Sequence, residues 1–316
     1  MTELSVIICA HNPDTERLQR VLTALAPQVR ATGAQLILVD NASSPELTQP
    51  SAPDLPVKLV REGRTGLTHA RAAGIRASDS GILVFVDDDN ILAPDYLAQA
   101  LEISRQHEAV GVFAGRSMGE FGKTPGWPAK HHLARLAVRD LGPARIEGPG
   151  TSSGIWTPFG AGMVIRRLVA ERFLAIYDEN GGGIPLGRNG SDLISGEDTL
   201  LCRISAHCDL AVAYEPDLCL THVIPASRLS LGYVWRLLEA QGRSQAILDA
   251  IDGVTRGQPD DLGPVTYLLR FLRRCRNPGL HEAITHWAWD RGYAAGRSSL
   301  DPAAIRQLRH SLNVAA

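Results

Sequence analysis

Apolar runs without polar alternation recur through the first ninety residues, and they constrain the fold more than anything else in the chain. LSVIICA (4–10), QLILVD (35–40) and GILVFV (81–86) read as strands, with VKLVRE (57–62) a shorter one between them. A strand that is apolar on both faces has to be covered on both faces, the condition of a parallel sheet under helices. The segments between the runs are helical in pattern. DTERLQRVLTALAPQV (14–29) spaces Leu18, Val21, Leu22 and Leu25 along one face, with Asp14 or Thr15 placed to cap it. GLTHARAAGIRAS (66–78) is Ala-rich, and APDYLAQALEISRQH (93–107) offers Pro94 to a first helical turn. Strand and helix in alternation predict an α/β fold with a mostly parallel sheet flanked by helices.

From 110 to 215 the pattern loosens. AVGVFAGR (109–116), FGAGMVIRR (159–167) and LAVAYEPD (210–217) read as strands separated by loop-rich sequence. ENGGGIPLGRNGSDLISGED (179–198) is too long for a plain connector, and loops of that size are usually mobile, functional or both. Helices are expected at 228–251, 262–275, 278–293 and 301–312. The layout is therefore a sheet domain over 1–225 and a helical region over 226–316.

Composition removes several classes of function. A net charge of −2 and a pI near 6.6 argue against a dedicated nucleic-acid binder. The basic run RFLRRCR (270–276) reads as a solvated helix face or an acceptor-facing patch rather than a nucleic-acid contact. The five cysteines form no CxxC pair, so neither a zinc ribbon nor a redox motif is indicated. MTELSVIICAHN lacks the basic start of a signal peptide, and no run of apolar residues is long enough to span a bilayer. The expected compartment is the cytoplasm, with peripheral attachment at the inner membrane face left open.

Open α/β sheets bind ligands beyond the carboxyl ends of their strands. Strand one runs into Ala10, His11 and Asn12, strand two into Asp40, Asn41 and Ser43, and the central strand into Asp87, Asp88 and Asp89. Three adjacent carboxylates repel one another, and a hard divalent cation with a diphosphate would relieve that repulsion. The alternative is a surface turn in which Asp89 or Asn90 caps the next helix. Asp40 can accept from a base or a ribose, or it can close a turn with Asn41 and Ser43. Arg71 can pair with Asp87 or Asp89, touch phosphate, or lie on a solvated face. A second acidic pair, Glu197–Asp198, follows the Gly-rich loop and opens DTLLCRISAH; a carboxylate there can serve as a general base or simply complement a helix dipole.

SVIICAHN, LILVDNASS, GLTHARAAGI, ILVFVDDDNIL and SGEDTLLCRI, taken in this order and spacing over roughly 4–225, resemble family 2 glycosyltransferases with the GT-A nucleotide-diphospho-sugar fold. The resemblance implies an inverting, metal-dependent transfer of one sugar from a nucleotide-diphosphate donor, a UDP-sugar by preference, to an acceptor hydroxyl. That acceptor would be a glycan, a lipid-linked molecule or a small molecule, met in glycan or polysaccharide biosynthesis. It implies a nucleotide-sugar pocket of Ala10, His11, Asn12, Asp40, Gly66, Arg71, Asp87, Asp88 and Arg228, with Gly74 in the same glycine–arginine element as Gly66 and Arg71. It further implies a Mn²⁺ or Mg²⁺ site of Asp87, Asp89 and His222, and a catalytic base at Asp198 with Glu197 in reserve. The helical region is expected to shape the acceptor side or a homodimer contact. The Gln-x-x-Arg-Trp signature of processive members is absent, and YVWRLL stands instead. The competing reading is a catalytically silent nucleotide-sugar-binding partner subunit. A dinucleotide oxidoreductase is excluded because no GxGxxG follows a strand.

Overall fold

The four apolar runs become β1 (Leu4–Ala10), β2 (Gln35–Asn41), β3 (Val57–Glu62) and β4 (Ile82–Asp87), paired in parallel in the order β3-β2-β1-β4. The computed structural model describes residues 2–49, 55–127, 129–254, 272–273 and 280–312. Beyond β4 the sheet continues through β8 (Val164–Arg166), β6 (Val110–Phe121), β9 (Ala211–Ile224) and β5 (Asn90–Leu92), with β7 (Ile146–Gly148) also on β9. β8 is antiparallel to both its neighbours, while β6 and β9 run parallel, so the nine strands among the described residues form one mixed sheet.

The unbroken apolar runs have a plain cause. On β1, Val6 and Ile8 face a core shared with α1 (Thr15–Thr32) and α3 (Tyr96–Gln106). Ile7 faces a second core beneath α2 (Leu67–Arg76), α4 (Arg167–Glu179) and α5 (Glu197–His207). Both faces are dry, so neither can be polar. At about 1.5–3 kcal/mol for each fully buried aliphatic or aromatic side chain, Leu83, Val84, Phe85 and Val86 fix β4 firmly enough to hold an unfavourable charge at its tip.

Local signals hold in most places. Asp14 caps α1 by accepting from the Arg17 N–H at 3.0 Å. Pro94 lies ahead of α3 rather than in its first turn, with Asp95 at the cap position. Neither Asp89 nor Asn90 caps that helix: Asp88 and Asp89 make the turn between β4 and β5, and Asn90 belongs to β5. The loop-rich reading of 110–215 missed α4, whose Val169, Ala170, Phe173, Ile176 and Tyr177 are buried at helical spacing. Gly74, expected near the pocket, instead lets α2 approach Ile7 and Val39 on the sheet.

After β9 come α6 (Leu231–Asp252), α7 (Leu280–Ser298) and α8 (Pro302–Ser311). The helix expected at 262–275 lies outside the described residues but for 272–273. Among the described residues no helix is long and apolar enough to cross a membrane. α8 packs back on the sheet region, with Ile305 and Leu308 in the second core and Arg172 of α4 donating to Ser311 O. α6 and α7 cross at glycines: a Cβ on Gly292 would stand 1.9 Å from Glu239 O, and one on Gly242 would stand 2.2 Å from Trp289 O. Tyr293 of α7 donates to Asp249 of α6 at 2.7 Å beside this crossing.

The crossing yields a prediction with a definite sign. Gly→Ala inside a free helix stabilises by about 1 kcal/mol. At Gly292 the added methyl meets backbone, so Gly292→Ala should destabilise by about 1–3 kcal/mol, read from the urea midpoint. A gain in stability would mean that the helices do not approach so closely.

Candidate active site

Where β1, β2 and β4 end, the chain opens a cavity of about 750 Å³. Its walls come from the strand ends, the first turns of α2 and α5, the stretches 134–137 and 157–161, and one face of α6. Ala10, His11, Gly66, Arg71, Asp87, Asp88, Asp89, Glu197, Asp198, His222 and Arg228 all line it, so most of the residues singled out in the sequence do converge.

Asn41 ties the strand ends together. Its backbone carbonyl lies 2.6 Å from His11 Nδ1, its Oδ1 accepts from the Gly66 N–H at 2.7 Å, and its Nδ2 donates to Arg64 O at 2.6 Å. Gly66 needs its freedom here, because its φ of 136° lies where other residues are strained. Two expected nucleoside contacts turn out otherwise. Asp40 is 1% exposed and does not line the cavity. One of its oxygens accepts from the Ser43 N–H at 3.0 Å and the other from the Leu47 N–H at 2.9 Å, and Arg61 pairs with it. Burial would raise its pKa, but these bonds outweigh it and hold the carboxyl below the usual range. Asp40 therefore closes the turn after β2. Asn12 also belongs to that turn: its N–H donates to Ser43 Oγ at 2.9 Å and its Oδ1 accepts from the Ser44 N–H at 2.8 Å.

The acidic tip of β4 is held under tension. Asp87 has its pKa raised, first by burial and then by Asp89. Asp88 is pushed up to about 7 by burial and by its two neighbours. Asp89 goes the other way: burial opposes it, but His222 and Arg228 pull its carboxyl well below the ordinary value. Strand pairing brings these partners in, since β9 sets His222 opposite Asn90 and the Val223 N–H on Asp89 O. His222 Nε2 lies 3.5 Å and Arg228 Nη1 lies 2.8 Å from the same Asp89 oxygen.

Among the described residues no three His, Cys, Asp or Glu side chains converge as a complete metal cage. The donor chemistry still fits a hard cation whose coordination is finished by a substrate. Asp89 and His222 stand together, His222 Nδ1 is buried without a partner, and burial and mutual repulsion raise the pKa of Asp87 and Asp88, a cost that a bound cation would relieve.

Glu197 and Asp198 open α5 but differ in surroundings. Glu197 is 6% exposed and paired with Arg71 at 3.6 Å, and burial raises its pKa against the pull of that arginine. Arg71 is itself buried over the Phe85 ring, so its ion pair is with Glu197 and not with Asp87 or Asp89. Asp198 reaches the cavity, oriented by the Gly160 N–H at 3.2 Å and the Thr199 N–H at 2.7 Å. Sequence reasoning missed Arg188, which lines the cavity and acts on Asp87, Asp89 and Glu197. It is the only cation in the Gly-rich 179–198 segment, a signal that could have marked it. The α6 face, with Tyr233, Leu237 and Gln241, was also unforeseen.

The raised pKa of Asp88 sets a pH dependence. A carboxyl moved from its ordinary value of 3.8 to about 7 lends stability that is complete below the lower value and lost as pH rises through the upper. Asp88→Asn should therefore be more stable than the parent at about pH 8, by on the order of 1–4 kcal/mol, with the gap closing towards about pH 4. Melting curves across that range check it, and a gap independent of pH would refute it.

Comparison with known proteins bears directly on this arrangement. Residues 5–174 match glycosyl transferase family 2. An uncharacterized glycosyltransferase of Haemophilus influenzae is 28% identical over 105 residues, which are 33% of this chain and 35% of the relative. The match thus spans about a third of that relative's length. Among solved structures, mannosyltransferase PcManGT from Pyrobaculum calidifontis, in complex with GDP-Man and Mn²⁺, aligns with a TM-score of 0.50 at 18% identity, over 96% of this chain and 77% of that one. S. aureus TarS aligns with a TM-score of 0.46 at 16% identity, over 88% of this chain and 44% of its own. The mixed sheet and its flanking helices are the GT-A fold. The family match takes in more than half of the sequence, from Ser5 of β1 through the acidic tip of β4 as far as Leu174 within α4, and the chain belongs to glycosyl transferase family 2.

Proposed function

We propose that the chain transfers a sugar from a nucleoside diphosphate donor to an acceptor hydroxyl, with inversion, and that Asp198 is the base. The observation that carries this reading is the division of labour at the start of α5. Two adjacent carboxylates have opposite fates, Glu197 neutralised in the wall by Arg71 and Asp198 presented to the cavity in a fixed orientation. Such a separation of environments marks acid–base assignments. In the step itself the acceptor oxygen bonds to the anomeric carbon as the bond from that carbon to the diphosphate oxygen breaks. The electron pair leaves with the diphosphate, and the acceptor proton passes to Asp198.

The strand ends at Ala10, His11, Asn41 and Gly66 form the nucleoside side, with uridine the expected base. The GDP-Man in the mannosyltransferase of like fold makes guanosine the second choice. Asp89 and His222 are the side chains that would hold a divalent ion, with Asp87 behind them. Such an ion, when bound, would act as a Lewis acid towards the departing diphosphate. Arg188 and Arg228 add positive charge on the same side. The helical region beyond residue 225 supplies the acceptor side through α6.

Two measurements test the reading. Asp198→Asn should lower transfer from UDP- or GDP-sugars by about 100-fold or more while donor affinity persists. Glu197→Gln, which strands the Arg71 charge, should instead act through stability, by about 3–5 kcal/mol. Equal loss of turnover per folded molecule in both variants would remove Asp198 from its role. For the cation, Asp89→Ala should abolish the tightening of nucleoside diphosphate by Mn²⁺ in calorimetric titrations, and an unchanged titration would end that assignment.

A further inference from the structure

The cavity carries a cation that the donor reading does not use. From Phe121 to Arg139 the chain holds Lys123, Lys130, His131, His132, Arg135 and Arg139 without one carboxylate, inside a molecule of net charge −2. This segment builds the cavity wall at Ala134–Ala137. Other arginines of the cavity are matched to acids: Arg71 to Glu197, Arg228 to Asp89, and Arg188 to the field of Asp87, Asp89 and Glu197. Arg135 is not. Among the described residues its guanidinium has no hydrogen-bond or ion-pair partner, although it faces the cavity. Carboxylates act on its neighbours, Glu282 on His132 and Asp198 on Arg139, whereas none acts on Arg135, whose side chain is open to solvent.

Its surroundings suggest what it meets. Gln241 of α6 donates its amide to Arg135 O at 3.3 Å, and Gln241 Oε1 is buried at the cavity without a partner. The residue with the unpaired guanidinium is thus joined through its backbone to a side chain with a free acceptor oxygen, and a ligand carrying both an oxyanion and a hydroxyl could engage the two. The wall is joined to the Asp198 side. Arg139 donates to Thr157 O at 2.7 Å, and three residues on, Gly160 holds Asp198.

We propose that this wall is an acceptor subsite for an anion: a polyhydroxylated molecule whose phosphate or carboxylate is held by Arg135 while a neighbouring hydroxyl donates to Gln241. Its role as acceptor rests on the transferase reading; the anion site itself does not.

The test uses the whole chain saturated with the nucleoside diphosphate that it binds, so that the diphosphate position is filled. Glycerol 3-phosphate and glucuronate are titrated by calorimetry at low salt, with glycerol and glucose as uncharged counterparts. At least one anion should bind saturably and neither neutral compound should. Arg135→Ala should weaken that binding by about tenfold or more, as the loss of a charge-assisted pair implies, and Arg135→Lys should restore part of it. Nucleotide affinity should be unchanged in both variants, which also reports that they fold. Preference for glycerol 3-phosphate identifies a phosphate-bearing acceptor, and preference for glucuronate a sugar acid. Absence of saturable binding by either anion, or binding indifferent to Arg135→Ala, overturns the proposal. If no nucleoside diphosphate binds, the donor reading fails on its own, and the same titration on the free chain still decides the anion site.

Discussion

Mutual repulsion at the end of β4 governs the whole cavity. The apolar run before Asp87 is locked between two cores, so the strand cannot withdraw its acidic tip from the crevice. Everything nearby answers that charge. β9 brings His222 across by strand pairing, Arg228 follows in the next 3₁₀ turn, and Arg188 leans in from the Gly-rich loop. The compensation is uneven, complete at Asp89 and wanting at Asp87 and Asp88. Under the proposed function that imbalance has a purpose: the protein would supply part of the neutralisation and leave the remainder to a cation and its anionic ligand.

The same logic of matched and unmatched charge separates the two acids of α5. A buried guanidinium consumes Glu197, and breaking that pair would strand a charge in the wall. Asp198 is spared because the helix start turns it towards Gly160 and into the open space. On the wall built by 134–137 the imbalance has the other sign, at Arg135. The cavity is thus acidic at the sheet, basic at the loop segment and bridged by one oriented carboxylate.

Much of this was legible in the sequence because strand-end chemistry follows from strand position. Once the runs at 4–10, 35–40 and 81–86 are parallel strands, His11, Asn41 and Asp87 must emerge on one edge. Asp40 shows where that inference stops. Whether a strand-end carboxylate turns outward or back into its own loop depends on Ser43, Leu47 and Arg61, and no spacing rule reveals those bonds. Arg71 was placed in the right cavity with the wrong partner, because Glu197 is remote in sequence and meets it only when α2 and α5 pack on the same face of the sheet. α4 was readable from its spacing but was obscured by the strand-like residues before it. The contribution of α6 was beyond the sequence, since its cavity face is mixed in polarity and only tertiary packing tells it from a solvated one.

The loop between α4 and α5 has one more property. Its Arg188 carbonyl accepts from the Leu67 N–H at the head of α2, Asp192 is gripped by Arg243, and the Ser195 N–H donates to Ser244 Oγ just before Asp198. It is a strap, sewn at one end to the head of α2 and at the other to α6, on two sides of the cavity. The two sides of the cavity consequently share a tether, whose last stitch at Ser195 lies three residues before Asp198.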